Sequence, residues 1–157
     1  MAPPRIDLSQ YDQHLCLKPP GLLLIAMIFL SRAVTLPVIV RLASLAGGSA
    51  DTTDFVRGTF SVYTAVPSLV ATAVLYALLR RAPKASTAVR WIWAHGRTIL
   101  AAAAALDFGL WFLDPPTGAG VGDAGRVLVA ALDVYFFVYI LAARRVRDVF
   151  DQFPASA

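Results

Sequence analysis

A single cysteine, Cys16, stands in 157 residues, so the chain can form no internal disulfide and no paired-thiol redox centre, both of which need a second sulfur. Membrane disulfide-generating bundles are excluded on the same ground. Histidine is nearly as scarce. His14 beside Cys16 offers two soft ligands where a zinc site needs three or four, and a lone His95 cannot supply paired axial haem ligands. Glutamate is absent altogether, all 10 acidic residues being aspartate. Glycine-rich phosphate loops and tandem-carboxylate metal motifs are missing as well. No metal, no cofactor and no enzymatic chemistry is therefore expected. Charge of either sign is sparse at 15%, against roughly a quarter in soluble domains.

What the sequence has instead is hydrocarbon. Apolar residues make up 58% of the chain and mean hydropathy is +0.66. They fall in runs near the roughly 20 residues that cross a bilayer, not in short strands or one-sided stripes. Four spans are expected, at about 21–42, 58–79, 91–113 and 125–143. Lys18-Pro19-Pro20 precedes the first and Gly47-Gly48 follows it. Thr52-Thr53-Asp54 precedes the second and Arg80-Arg81 closes it. Asp114-Pro115-Pro116 stops the third, and a Gly-rich link leads to the fourth. Residues 1–20 and 144–157 are then tails. The first apolar segment is too long for a signal peptide and carries Arg32 and Arg41.

The basic residues orient the spans. Arg5, Lys18, Arg80, Arg81, Lys84, Arg90, Arg144, Arg145 and Arg147 fall on one side, with only Arg57 and Arg126 on the other. Positive residues near spans stay in the cytoplasm, so both termini and the middle loop are expected there. The expectation is an all-α membrane protein, an antiparallel four-transmembrane-helix bundle in the bacterial inner membrane. Trp91, Trp93 and Trp111 fall near the ends of the third span, where amphipathic rings prefer the headgroup zone. The net charge of +4 does not point to nucleic acid, because the cations flank apolar runs without forming a basic face.

Both ends of the chain carry further motifs. Tyr11-Asp12, Leu17-Lys18-Pro19-Pro20 and Phe29-Leu30-Ser31-Arg32 stand at the start; Arg144-Arg145-Val146-Arg147-Asp148-Val149-Phe150 and Phe153-Pro154 stand at the end. Together they resemble the YfeZ-like family of small bacterial inner-membrane proteins. The resemblance implies the membrane topology and no catalytic residues.

Arg32, Asp107 and Asp133 lie deep in the spans, where a charge costs roughly 2.5–3.5 kcal/mol on insertion scales, so they are expected to form one intramembrane charge layer. Arg32 with Asp133 is the first pairing expected and Arg32 with Asp107 the second. Two carboxyls then compete for one guanidinium. Ser61, Thr64, Ser68 and Thr72 share one sector of the second span and form a polar stripe, with Pro67 beside it freeing the carbonyl of Tyr63. Such hydroxyls act as interhelical glue or line a wetted path. Ala101, Ala105 and Gly109 recur every fourth residue of the third span, a helix-packing face that admits another helix or a second copy. Arg41 and Arg97 have stems long enough to reach the headgroups.

The leading reading is a non-enzymatic accessory or scaffold protein whose helices and basic tail, Arg144, Arg145 and Arg147, contact other membrane proteins or anionic lipid. The alternative is a small proton-coupled transporter or permeation unit built on the Arg/Asp layer. It would share only helix count with small multidrug exporters, whose membrane glutamate this chain lacks. A water-accessible route to Asp107 or Asp133 separates the two.

Overall fold

Pro20, extended at φ −62° and ψ 145°, cannot be followed by anything but a fresh start, and its carbonyl accepts the first turn of α1 (Gly21–Leu30) from Leu23 N at 2.9 Å. The chain is described here from a computed structural model, which covers Tyr11 and residues 16–45, 62–112 and 123–154, without the side chains of 43–44, 62–64, 111 and 123–126. Leu23, Ala26, Met27 and Leu30 of α1 are buried, the spacing of one helical face. α2 (Arg32–Leu45) begins after Ser31, and the two helices meet at 84°. α3 (Val62–Leu79) accommodates Pro67 within its length. α4 (Thr87–Ala94) is capped by Ser86, whose hydroxyl accepts from Val89 N at 3.4 Å. α5 (Gly96–Trp111) follows across His95. α6 (Asp123–Ala142) and α7 (Arg144–Asp151) turn through 65° at Ala143.

The protein is therefore all-helical, with seven helices and no strand among the described residues. Tyr11 and Leu17 form an isolated antiparallel bridge. Two expected spans and the C-terminal tail differ in outline. The segment 21–42 is two helices, since the chain breaks at Ser31. The segment 91–113 is divided at His95, its first helix starting at Thr87. The residues beyond Ala143 are not an extended tail: α7 places Val146, Val149 and Phe150 on one face, and all three are buried. Among the described residues no single helix is both long and apolar enough to cross a membrane. The pairs Gly21–Leu30 with Arg32–Leu42, and Val127–Ala142 with Arg144–Asp151, have the length and composition together; the apolar helix Ala65–Leu79 is shorter.

α5 packs along both α3 and α6, and α1 lies against α3. Small side chains permit this closeness, Ala71 and Ala77 from α3 and Ala103 and Ala104 from α5 being buried at the contacts. Leu23, Met27, Leu30, Val74, Leu100 and Ile140 fill the core between them. Below it α7 folds back. Phe150 stacks at 4.7 Å on Trp93, and Gly96 is the space that admits its ring: a Cβ on Gly96 would stand 2.5 Å from Phe150 Cε1.

The segments at Leu17 and Gln152 meet there. Arg81 donates to Leu17 O and to Gln152 O, each at 3.0 Å, while its guanidinium lies 4.9 Å from the Trp93 ring centroid. Trp93 Nε1 donates to the same Gln152 carbonyl at 3.0 Å, and Leu17 N donates to Gln152 Oε1 at 2.8 Å. Trp93 is accordingly a core residue, 1% exposed, rather than a headgroup-zone ring. Trp91 is 58% exposed.

Candidate functional site

Arg32 is the first residue of α2, and the break at Ser31 is what aims it across the bundle. Its Nη2 lies 2.6 Å from Asp107 Oδ2 on α5, and its Nη1 lies 3.6 Å from Asp133 Oδ1 on α6. Nη1 also donates to Phe29 O at 3.2 Å, at the end of α1, and the guanidinium sits 4.3 Å from the Phe29 ring centroid. The three charges expected in one layer are thus brought together. Their order is reversed, for Asp107 is the nearer partner and Asp133 the farther.

The layer is enclosed. The side chains of Asp107 and Asp133 are 3% and 1% exposed, and Arg32 is 19% exposed. Phe136 packs against Phe29 at 5.3 Å and is itself buried, which closes one side. Asp107 Oδ2 and both oxygens of Asp133 have no hydrogen bond of regular geometry, so Coulomb attraction holds the carboxyls to the guanidinium more than directed bonds do. The positive end of the α2 dipole lies at the same point, where it favours the carboxylates and opposes Arg32 itself.

A helix break in an apolar setting leaves amides and carbonyls that need partners. Here side chains supply them. Ser31 Oγ donates to Ile28 O at 3.1 Å and Thr35 Oγ1 donates to Ser31 O at 3.1 Å. Ala33 N, in the first turn of α2, donates to Ser68 Oγ of α3 at 3.3 Å. Thr72 Oγ1 donates to Ser68 O at 2.6 Å. Of the expected polar stripe, Ser68 and Thr72 are thus engaged in helix and break. Ser61 and the Thr64 side chain lie outside the described residues.

The remaining candidates separate. On α5, Ala101 is buried, while Ala105 and Gly109 are exposed and a Cβ on Gly109 would meet nothing within 4 Å. Arg144, Arg145 and Arg147 form the exposed face of α7. Arg41 is exposed, whereas Arg97 reaches the end of α6, donating to Ile140 O at 3.1 Å and to Leu141 O. His95 is exposed with its ring against Trp91, Cys16 is buried, and His14 lies outside the described residues. Among the described residues no three His, Cys, Asp or Glu side chains gather as a metal would require. Sequence reasoning treated Arg81 only as a topogenic charge and overlooked Gln152. Their partners lie 64 to 135 residues away, beyond any local pattern.

A family model described as "Protein of unknown function (DUF2919)" matches residues 6–152. No curated protein and no solved structure matches the chain.

Proposed function

The chain belongs to the DUF2919 family, proteins of unknown function, and within it we propose a non-enzymatic accessory or scaffold protein of the bacterial inner membrane. One observation carries this reading: ionisable and hydroxyl side chains are buried while many large apolar ones are exposed. Ser31, Ser68, Asp107 and Asp133 are buried, while Ile25, Ile28, Val38, Ile39, Leu42, Val66, Leu69, Val134 and Val138 stand exposed around them. An exterior with this many large apolar side chains suits lipid and is costly in water. The four crossings are α1 with α2, α3, α4 with α5, and α6. Both chain ends then lie in the cytoplasm, as the distribution of Lys and Arg requires. The likeness of the chain ends to YfeZ-like inner-membrane proteins supports the same reading. The enclosed charge layer serves as a register lock between helices, because no helix can slide without separating Arg32 from its carboxyls. The basic face of α7 meets anionic lipid or acidic partner surfaces, and the outward Ala105 and Gly109 admit a neighbouring helix, from another protein or a second copy.

Crosslinking with mass spectrometry in native membranes tests the reading: crosslinks from Arg144–Arg147 substituted by lysine should reach other membrane proteins. Fractionation with carbonate-washed soluble proteins and no membrane crosslinks would contradict it. The helix break at the charge layer favours a second reading, a small proton-coupled permeation unit. Proteoliposomes separate the two, since a proton flux abolished by Asp133→Asn belongs to the second alone.

A further inference from the structure

Four cations surround the connection from α3 to α5, and they divide into two pairs. Arg81 is turned inward onto Leu17, Gln152 and Trp93. Arg90 is turned onto its own loop, donating to Pro83 O and Ala85 O, with Phe153 5.2 Å from its guanidinium. Arg80 and Lys84 do neither. They are exposed and line a groove of about 410 Å³ between the end of α3 and the start of α4.

The groove has two kinds of wall. Arg80, Lys84 and Ser86 form the polar one, and among the described residues no carboxylate lines it. Ser86 caps α4, so the first-turn amides and the positive end of that helix add to the field. Tyr76, Leu79 and Val89 form the apolar wall, and Leu79 is 78% exposed. The Arg80 guanidinium lies 5.7 Å from the Tyr76 ring centroid, at the seam between the two walls. On the membrane reading proposed above, on which this inference rests, the seam falls at the cytoplasmic headgroup level.

We propose that this groove binds an anionic phospholipid, with its phosphodiester between Arg80 and Lys84 and the start of an acyl chain along Tyr76 and Leu79. Charge complementarity selects the anion, because two cations face the groove and its described lining holds no acid to offset them. The adjoining apolar wall selects a lipid over free phosphate, which has nothing to place there. The site is distinct from the exposed α7 cations, which are not among this groove's lining residues.

Native mass spectrometry of the full chain in detergent tests this with three probes: phosphatidylglycerol, phosphatidylcholine and inorganic phosphate. The intact protein should bind phosphatidylglycerol at least about tenfold more tightly than phosphatidylcholine. At about fivefold per cation, Arg80→Gln with Lys84→Gln should weaken it about thirtyfold. Each variant is compared at an unchanged melting temperature, and the two single groove substitutions, about fivefold each, replace the double one should it fail to fold. Unaltered phosphatidylglycerol binding in the groove variant would overturn the site. Inorganic phosphate displacing the lipid at equal concentration would overturn the lipid assignment. Release of the intact chain by carbonate contradicts the membrane reading itself, whereas a chain that stays in the membrane with groove-independent lipid binding contradicts the groove alone.

Discussion

Arg32 holds two carboxyls from two helices, and the distances, 2.6 Å to Asp107 and 3.6 Å to Asp133, rank their contributions. In a double-mutant cycle on melting free energy, Arg32→Ala with Asp107→Asn should show coupling of about 1–3 kcal/mol, and the cycle with Asp133→Asn about half as much. Equal coupling, or additivity in both, would contradict the ranking. The layer was legible in the sequence because Arg32, Asp107 and Asp133 interrupt apolar runs, where an unpaired buried charge is costly whatever the fold. The nearer partner was not legible, since it depends on how the break at Ser31 aims one side chain. Glycines give a second test. Gly96→Ala should destabilise by about 1–3 kcal/mol, because the new methyl meets the Phe150 ring wedged against Trp93. Gly109→Ala, with open space around its Cβ, should be neutral or stabilise by up to about 1 kcal/mol in the monomer. A neutral Gly96→Ala would mean that α7 does not pack as described.

At the scale of elements, the break between α1 and α2 occurs where neither proline nor glycine stands. Pro37 lies within α2 and Pro67 within α3, so the residues that usually interrupt helices are tolerated. The break is held by a tertiary bond from Ala33 N to Ser68 Oγ, beside the local one from Arg32 to Phe29 O, which is why apolar periodicity reads one continuous span over 21–42. Ser68→Ala should orphan the buried Ala33 amide, lower stability by about 1–3 kcal/mol and speed hydrogen exchange at Ala33 and its neighbours. Exchange there unchanged from the parent would show that Ser68 does not cap α2. α7 failed to stand out for the reverse reason. Its composition, rich in arginine, reads as a solvated tail, and its three apolar residues become a face only once helical spacing gathers Val146, Val149 and Phe150. Phe150→Ala should cost about 3–5 kcal/mol, measured as a fall in melting temperature in detergent. A cost under about 1 kcal/mol would place α7 off the core.

Across the whole molecule, the charge pattern and the exterior make complementary demands. The cations expected on one side of a membrane include Arg81 and those of α7, and the clasp of Leu17, Arg81, Trp93 and Gln152 gathers the segments at Leu17 and Gln152 and the α3–α4 connection at one end of the bundle. Convergence of these segments on a single face is what N-in, C-in topology requires of them. The most direct measurement of that topology is a map of paired reporters, one active only in the cytoplasm and one only in the periplasm, fused after Asp51, Arg81, Thr117 and Ala157. Membrane embedding with four crossings predicts periplasmic activity after Asp51 and Thr117 and cytoplasmic activity after Arg81 and Ala157. Cytoplasmic activity after Thr117, or periplasmic activity after Ala157, would contradict it.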